Sequence, residues 1–152
     1  MKAVYIDKAE CGNLIRYTAI LGLKRELYAT AIGKVLLAHF SPERLESYLD
    51  SVVLERFTPR TLVDIPALMS SLNKVRASGV CITEDERIMG ASGVAAPIAD
   101  HENHVVAAVG VAGPTSRMRR LRPRAVTLVI DTAKELSQLL SRQAQEGMFG
   151  EL

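Results

Sequence analysis

The stretch that decides the fold reads Gly93-Val-Ala-Ala-Pro-Ile-Ala-Asp-His-Glu-Asn-His-Val-Val-Ala-Ala-Val-Gly-Val-Ala112. Two apolar segments, residues 93–99 and 104–112, flank the four polar residues 100–103. Polar residues of this kind form turns, and Asn103 tolerates the positive φ that a tight turn requires. The stretch therefore predicts a β-hairpin. Because the second segment is almost continuously apolar, we expect it to form a central strand covered on both faces.

Three helices are predicted upstream of this hairpin, because a run of helical composition follows a good N-cap at each start. The caps are Thr30, Ser41 (followed by Pro42) and Asp64, and Gly79 ends the third helix. A short strand, residues 80–83, and an acidic loop, residues 84–86, connect the third helix to the hairpin.

Short-range sequence patterns predict the secondary structure near both ends of the chain. Residues 3–7 are rich in β-forming side chains and predict a strand, with residues 13–20 as its hairpin partner. After Gly113-Pro114 we expect a basic linker, and Pro123 would open the last helix. The predicted core face of that helix comprises Ala125, Leu128, Val129, Leu136 and Leu140. The order of elements predicts an α+β domain with helices packed on an antiparallel sheet.

Composition is typical of an ordinary globular domain. The 152 residues suit one domain, and 48% hydrophobic with 24% charged residues predicts a soluble protein. No apolar run is long enough to span a membrane, and the N-terminus lacks a signal-peptide core. Two cysteines do not make a disulfide framework, which favours the cytoplasm. A net charge of +2 and the absence of tryptophan argue against nucleic-acid binding by this chain itself.

Motifs for catalysis or metal binding are weak. Residues 32–35 differ from a phosphate-binding loop, because Val35 replaces the required Ser or Thr. His101 and His104 lie beside two carboxylates, Asp100 and Glu102, and these are metal-ligand types. A hairpin tip also collects solvated polar residues, which is the interpretation we favour. We therefore expect neither a metal nor a cofactor.

Two further features leave alternatives open. Cys11 or Cys81 could be a redox nucleophile, but neither lies in a Cys-x-x-Cys motif, and Cys81 is better explained as a small core residue. A basic run comprises Arg117, Arg119, Arg120, Arg122 and Arg124. Such a run suits a nucleic acid or an anionic ligand, but also a solvated linker or a subunit contact, which we favour. The sequence does not decide its role.

The start of the first predicted helix, after Thr30, is a candidate anion site. The first N–H groups of a helix lack partners within the helix, and the helix dipole adds positive potential there. The small residues Ala29, Ala31 and Gly33 would let a ligand approach the backbone closely. We therefore expect an anion, in particular a carboxylate, near residues 31 and 32.

Several ordered segments resemble the effector-binding domain of IclR-type transcriptional regulators. They are residues 4–8, 27–38, 56–59, 61–64 and 113–117, together with a signature-like region from Gly79 to Ile98. The resemblance extends from about residue 3 to residue 142. It implies a GAF-like (profilin-like) fold, an antiparallel sheet flanked by helices with a ligand pocket over the sheet.

The resemblance also implies a domain organisation. Residues 1–152 would be the effector-binding domain, N-terminally truncated, because family members carry a helix and a strand before the strand at Val4. The winged helix-turn-helix domain would be absent from this chain, and DNA would be bound only through it. The domain would assemble as a homodimer or homotetramer and would have no enzymatic activity.

The resemblance implies which residues of this chain occupy the family's pocket positions. They fall on Leu14, Tyr17, Ala31, Ile32, Thr83, Ala91, Gly93, Gly110 and Ala112. The resemblance implies backbone donors at Ala31 and Ile32 and an apolar wall at Leu14 and Tyr17. Thr83 matches a frequent pocket carboxylate and Gly93 a frequent cysteine. Gly110 and Ala112 match serines of family members that bind small oxoacids.

The differences between these residues and the usual pocket residues of the family favour a particular class of ligand. Of the four pocket positions that can be polar, only Thr83 keeps a hydrogen-bonding side chain. A small, highly charged acid would leave buried oxygens unpaired, at about 1–3 kcal/mol each. We therefore expect a larger organic acid, aromatic or longer-chain. Two alternatives stay open: a pure oligomerisation module with a vestigial pocket, and a GAF-type thiol enzyme that uses one of the two cysteines.

Overall fold

The computed structural model describes residues 1–10, 12, 17 and 19–149. In chain order the elements are β1 (Lys2–Val4), β2 (Lys24–Glu26), α1 (Ala31–Ala38), α2 (Pro42–Ser51), α3 (Ile65–Ser78), β3 (Cys81–Glu84), β4 (Ala91–Ala99), β5 (Val105–Pro114) and α4 (Thr115–Phe149). The chain is an α+β protein with antiparallel sheets, as predicted. Within these residues no helix is long and apolar enough to cross a membrane.

The hairpin that decided the prediction forms the centre of the structure. Strands β3, β4 and β5 form an antiparallel sheet in that order. Asn103 has φ 63°, which confirms the predicted turn residue. Alternate side chains of β4 point to opposite faces. Val94, Ala96 and Ile98 pack against α4, whereas Ala95 packs in the core that contains α1 and α3.

The prediction that the second strand of this hairpin is central was wrong. Among the residues that the structure describes, the central strand is β4 and β5 lies at the edge of the sheet, with Val106 54% exposed. Continuous apolarity predicts that the faces of a strand are covered, but the pattern of one strand carries no information on which strands lie beside it. An unpaired apolar edge is therefore the observed state of β5 in the described part of the chain.

Strand β1 pairs with a segment that was not predicted to be a strand. β1 pairs with β2, so that Lys2 lies opposite Glu26 and Val4 opposite Lys24. The predicted partner, residues 13–20, lies largely outside the described residues, and none of its described residues belongs to a strand. β2 escaped detection because Lys-Arg-Glu lacks the apolar alternation on which strand prediction depends.

The first three helices begin where their N-caps predict, and α3 ends where Gly79 predicts. Thr30 Oγ1 accepts a hydrogen bond from the Gly33 N–H at 3.1 Å, and Ser41 and Asp64 accept from the N–H groups three residues later. Gly79 ends α3 in the left-handed conformation, with φ 69°. Local capping chemistry therefore determines these helices.

The prediction of a basic linker before Pro123 was wrong, because α4 begins at Thr115 and Pro123 lies inside it. Arginines in the first turns of a helix oppose the helix dipole. Here, Arg119 and Arg122 pair with the Glu84 carboxylate, which offsets that repulsion. The buried face of α4 is Met118, Ala125, Val129 and Ala133. Leu128, expected in the core, is 53% exposed, and Leu140 is also exposed.

The position of α1 depends on a close backbone contact. A Cβ at residue 33 would lie 2.3 Å from the Leu27 carbonyl oxygen, so only glycine fits there. Leu27 and Tyr28 are buried in the core beneath α1, and the Tyr28 hydroxyl donates to the Glu55 carbonyl at 3.0 Å. The first turn of α1 is therefore held firmly against the structure beneath it.

Replacing Gly33 with alanine is expected to lower the free energy of unfolding by at least about 2 kcal/mol, because the added methyl group overlaps backbone atoms that cannot move independently. Gly12→Ala is the matched control, since nothing lies within 4 Å of a Cβ at residue 12. Urea denaturation of both variants measures the difference. Equal stability of the two variants would contradict the packing described for α1.

Candidate functional site

Three residues of the sheet lie in one row beneath the first turn of α1. Thr83, Gly93 and Ala112 are opposite one another across β3, β4 and β5. A Cβ at residue 93 would lie 3.4 Å from the Ala31 Cβ and 3.5 Å from Thr83 Oγ1. The structure therefore brings Ala31, Thr83 and Gly93 together, although they come from three different elements.

Unpaired hydrogen-bonding groups meet at this point. The Gly33 N–H donates to Thr30 Oγ1, and the Lys34 N–H donates to the Thr30 carbonyl. In the described part of the chain the N–H groups of Ala31 and Ile32 have no hydrogen-bond partner. These two donors are the ones that a helix cannot satisfy by itself, and the dipole of α1 makes the electrostatic potential around them positive.

The Thr83 side chain adds a third group. Thr83 is only 8% exposed, yet its hydroxyl has no hydrogen-bond partner among the residues that the structure describes. Among the described residues no fully enclosed side-chain oxygen or nitrogen lacks a partner, so the Thr83 oxygen is not sealed off and remains accessible to a ligand. The amides of Ala31 and Ile32 and the Thr83 hydroxyl, beside Gly93, are suitable hydrogen-bonding partners for the carboxylate group of a ligand.

The other predicted pocket residues form the open side of this site. Gly110 and Ala112 are exposed on β5, whereas Ala91 and Ile32 are half-buried. The Tyr17 hydroxyl donates to the Met89 carbonyl at 3.4 Å, which places Tyr17 against the β3–β4 connection. Leu14 lies outside the described residues. The site thus has a polar, buried end at α1 and a small-residue, exposed end at β5.

Gly110 has a structural explanation independent of any ligand. A Cβ at residue 110 would lie 2.7 Å from the Val94 carbonyl oxygen and 3.1 Å from the Ala95 Cβ. A side chain at residue 110 would therefore require the two strands to separate. The glycine is needed for the close approach of β4 and β5, and the space it leaves is not by itself evidence of ligand volume.

A buried ion pair lies one turn along α1 from the free amides. Lys34 is 1% exposed, and its Nζ lies 2.5 Å from Glu86 Oε2. Burial raises the pKa of the Glu86 carboxyl, and the Lys34 ammonium opposes that rise. Residues 32–35 do not match a phosphate loop, and this pair is not visible in the sequence because residues 34 and 86 are far apart along the chain.

The basic run also has a partner that the sequence did not reveal. Arg60, Arg119 and Arg122 all pair with the Glu84 carboxylate. The hydrogen bond from Arg119 is the main cause that lowers the pKa of Glu84, and the charges of Arg119, Arg122 and Arg60 act in the same direction. Part of the basic run therefore forms ion pairs that connect α4 to the end of β3.

Two other locations were considered for a ligand. An open groove of about 740 Å³ lies between α2 and α3, and its lining includes Leu45, Met69, Glu46 and Asp50. Its two carboxylates would repel an organic acid. The one cation in its lining, Arg76, already donates to the Ala38 carbonyl and to Asn73 Oδ1.

The tip of the β4–β5 hairpin brings Asp100, Glu102 and His104 together, with one possible ligand atom from each within 4.8 Å of the others. Asp100 Oδ1 accepts hydrogen bonds from the backbone N–H groups of Glu102 and His104. The His104 N–H is the main cause that lowers the pKa of Asp100. Because Glu102 and His104 are exposed, this geometry is that of a solvated turn.

Comparison with known proteins agrees with this architecture. The family described as "Bacterial transcriptional regulator IclR C-terminal" matches residues 1–138. The chain is 38% identical over 140 residues to the HTH-type transcriptional repressor AllR of Salmonella typhimurium, covering 91% of this chain and 52% of that protein. The chain therefore spans about half the length of the curated relatives it matches.

Two solved structures are also similar. The Thermotoga maritima IclR structure has a TM-score of 0.80 at 34% identity, covering 93% of this chain and 56% of that one. The inducer-binding domain of a PobR double mutant from Acinetobacter, in complex with 3-hydroxybenzoic acid, has a TM-score of 0.73 at 30% identity, covering 79% and 70%. The chain belongs to the family of bacterial transcriptional regulator IclR C-terminal domains.

Proposed function

We propose that the chain is the effector-binding domain of an IclR-type regulator and that it binds the carboxylate of an organic acid at the first turn of α1. The observation that carries the proposal is the group of three unpaired donors, the amides of Ala31 and Ile32 and the Thr83 hydroxyl. A carboxylate has two oxygens that accept hydrogen bonds, and the dipole of α1 favours its negative charge. No acid–base or nucleophilic chemistry is needed.

The ligand is proposed to be aromatic or longer-chain. Beyond Thr83 the row contains only Gly93 and Ala112, so the body of the ligand meets small, apolar surfaces. Tyr17, beside the β3–β4 connection, would supply an aromatic contact. The Acinetobacter PobR domain, a structural neighbour, is complexed with 3-hydroxybenzoic acid, which makes this compound a suitable first probe.

Regulation is proposed to act through assembly in the bacterial cytoplasm. A DNA-binding domain elsewhere in the full regulator would contact DNA, and the ligand would shift the population of subunit arrangements. The exposed edge of β5, with Val106 and Val111, and the exposed Leu128 of α4 leave apolar surface that a homodimer or homotetramer would cover. A pure oligomerisation module would share this surface but would bind no acid.

A larger side chain at residue 93 should weaken binding of the acid. A Cβ at residue 93 would already be in contact with the Ala31 Cβ at 3.4 Å and with Thr83 Oγ1 at 3.5 Å, and the two further methyl groups of Gly93→Val would occupy the space beside them. We expect at least a tenfold loss of affinity for 3-hydroxybenzoate by calorimetry. Gly113→Ala is the control, because a Cβ there meets only Met118 at 3.6 Å, and we expect its affinity to equal that of the wild type.

A thermal-shift screen with 3-hydroxybenzoate, benzoate, glyoxylate and pyruvate tests the ligand class. A true ligand at 100 times its Kd adds about 2.7 kcal/mol to the stability of the folded state. We expect stabilisation by the aromatic acids. Stabilisation by glyoxylate alone would refute the proposed ligand class, and no shift with any acid would favour the vestigial-pocket alternative.

The thiol-enzyme alternative makes a different prediction for Cys81. Burial raises the pKa of the Cys81 thiol to about 12, so almost no reactive thiolate is present at neutral pH. In a Cys11→Ser background, iodoacetamide at pH 8 should label Cys81 at least about a hundredfold more slowly in the native protein than in urea, as read by peptide mass spectrometry. Rapid native labelling would instead support the thiol enzyme.

A further inference from the structure

Three consecutive acidic residues, Glu84, Asp85 and Glu86, bind two different helices. Glu84 pairs with Arg119 and Arg122 of α4. Asp85 and Glu86 lie in the connection between β3 and β4, close to the proposed ligand site. The proposed ligand function assigns no role to any of the three, although all of their carboxylates are engaged.

The Glu86 side chain ties this segment to α1. Its carboxylate lies 2.5 Å from Lys34 Nζ, which has almost no contact with solvent. Lys34 follows the free amides of Ala31 and Ile32 by less than one helical turn. A buried ion pair cannot exchange its partner for water without a large penalty, so a movement of α1 must carry Glu86 with it.

The Asp85 side chain ties the same segment to α4. Asp85 Oδ1 accepts a hydrogen bond from Thr115 Oγ1 at 2.5 Å and from the Gly90 N–H at 3.0 Å. The Gly90 carbonyl accepts from the Thr115 N–H at 2.8 Å. Thr115 is the first residue of α4, so the helix start is anchored on both sides by this connection.

The segment is also held rigidly from below. Thr58 Oγ1 donates to the Asp85 carbonyl and Thr61 Oγ1 to the Glu86 carbonyl, each at 2.6 Å. Asp85 itself has φ 60°, a left-handed conformation that persists in a residue other than glycine only when its surroundings fix it. A segment fixed in this way transmits a displacement rather than absorbing it.

We propose that residues 84–86 are a coupling element that transmits movement of α1, the proposed ligand-binding helix, to the start of α4. The two helices lie on opposite faces of the β3–β4–β5 sheet, so the connection at the end of β3 is the direct route between them. The ligand-dependent part of this inference rests on the proposed function, whereas the mechanical coupling does not.

Amide hydrogen exchange of the ligand-free protein tests the coupling. In Lys34→Met, which leaves Glu86 without its cation, we expect exchange of the amides of residues 115–122 to accelerate at least tenfold, although Lys34 touches none of them. Exchange within α2 should change less than twofold. Lys74→Met, at an exposed lysine of α3, is the matched control and should leave α4 unchanged.

Two further variants keep the test decisive. Should Lys34→Met unfold, Glu86→Gln retains a hydrogen-bonding group and should accelerate exchange at residues 115–122 by a smaller factor. Thr115→Val should accelerate exchange within α1, because coupling is reciprocal. Acceleration confined to α1 and residues 84–90 in the Lys34 or Glu86 variant would overturn the proposal.

Addition of 3-hydroxybenzoate separates the two claims. Slower exchange in both α1 and the start of α4 would support the coupling of ligand to α4. Slower exchange in α1 with no change in α4 would overturn it while leaving the ligand site intact. If the acid changes nothing, the proposed ligand fails and the ligand-free variants alone decide the coupling.

Discussion

The contact between α1 and the backbone beneath it is the constraint on which the rest of the structure depends. Gly33 lets the helix approach Leu27 so closely that no other residue fits. That approach brings Ala31 against Gly93, beside Thr83, and the first two amides of α1 have no hydrogen-bond partner among the described residues. The same helix carries Lys34 into the interior, where Glu86 must accompany it. A single close contact thus positions both the proposed anion-binding end of the site and the buried ion pair on the same helix.

The sheet separates α1, with the proposed ligand site, from α4. One face of β4 supports α1 and the polar end of the site, and the other face packs on α4. The acidic connection after β3 is the place where both sides meet, since Glu84 and Asp85 bind α4 and Glu86 binds α1. In this arrangement a ligand needs no catalytic residue to have an effect: it needs only to change the position of a helix that is firmly linked to another.

The parts of the fold governed by local chemistry were predictable from the sequence, and the parts governed by distant partners were not. The caps at Thr30 and Ser41 and the turn at Asn103 are short-range features, and each was confirmed. The start of α4 was mispredicted, because its arginines are neutralised by Glu84, far away in sequence. The residues expected in the pocket from the family resemblance include Ala31 and Thr83, but only the structure shows that their donors are unpaired.

The most direct test of the central claim is a titration of the ¹⁵N-labelled protein with 3-hydroxybenzoate, followed by NMR. The account predicts that the amide signals of Ala31 and Ile32 shift most, together with that of Thr83, and that they saturate with a common Kd. If the largest shifts instead occur at Leu45 and Met69, in the groove between α2 and α3, the account is contradicted, because the acid would then bind away from the amides of Ala31 and Ile32.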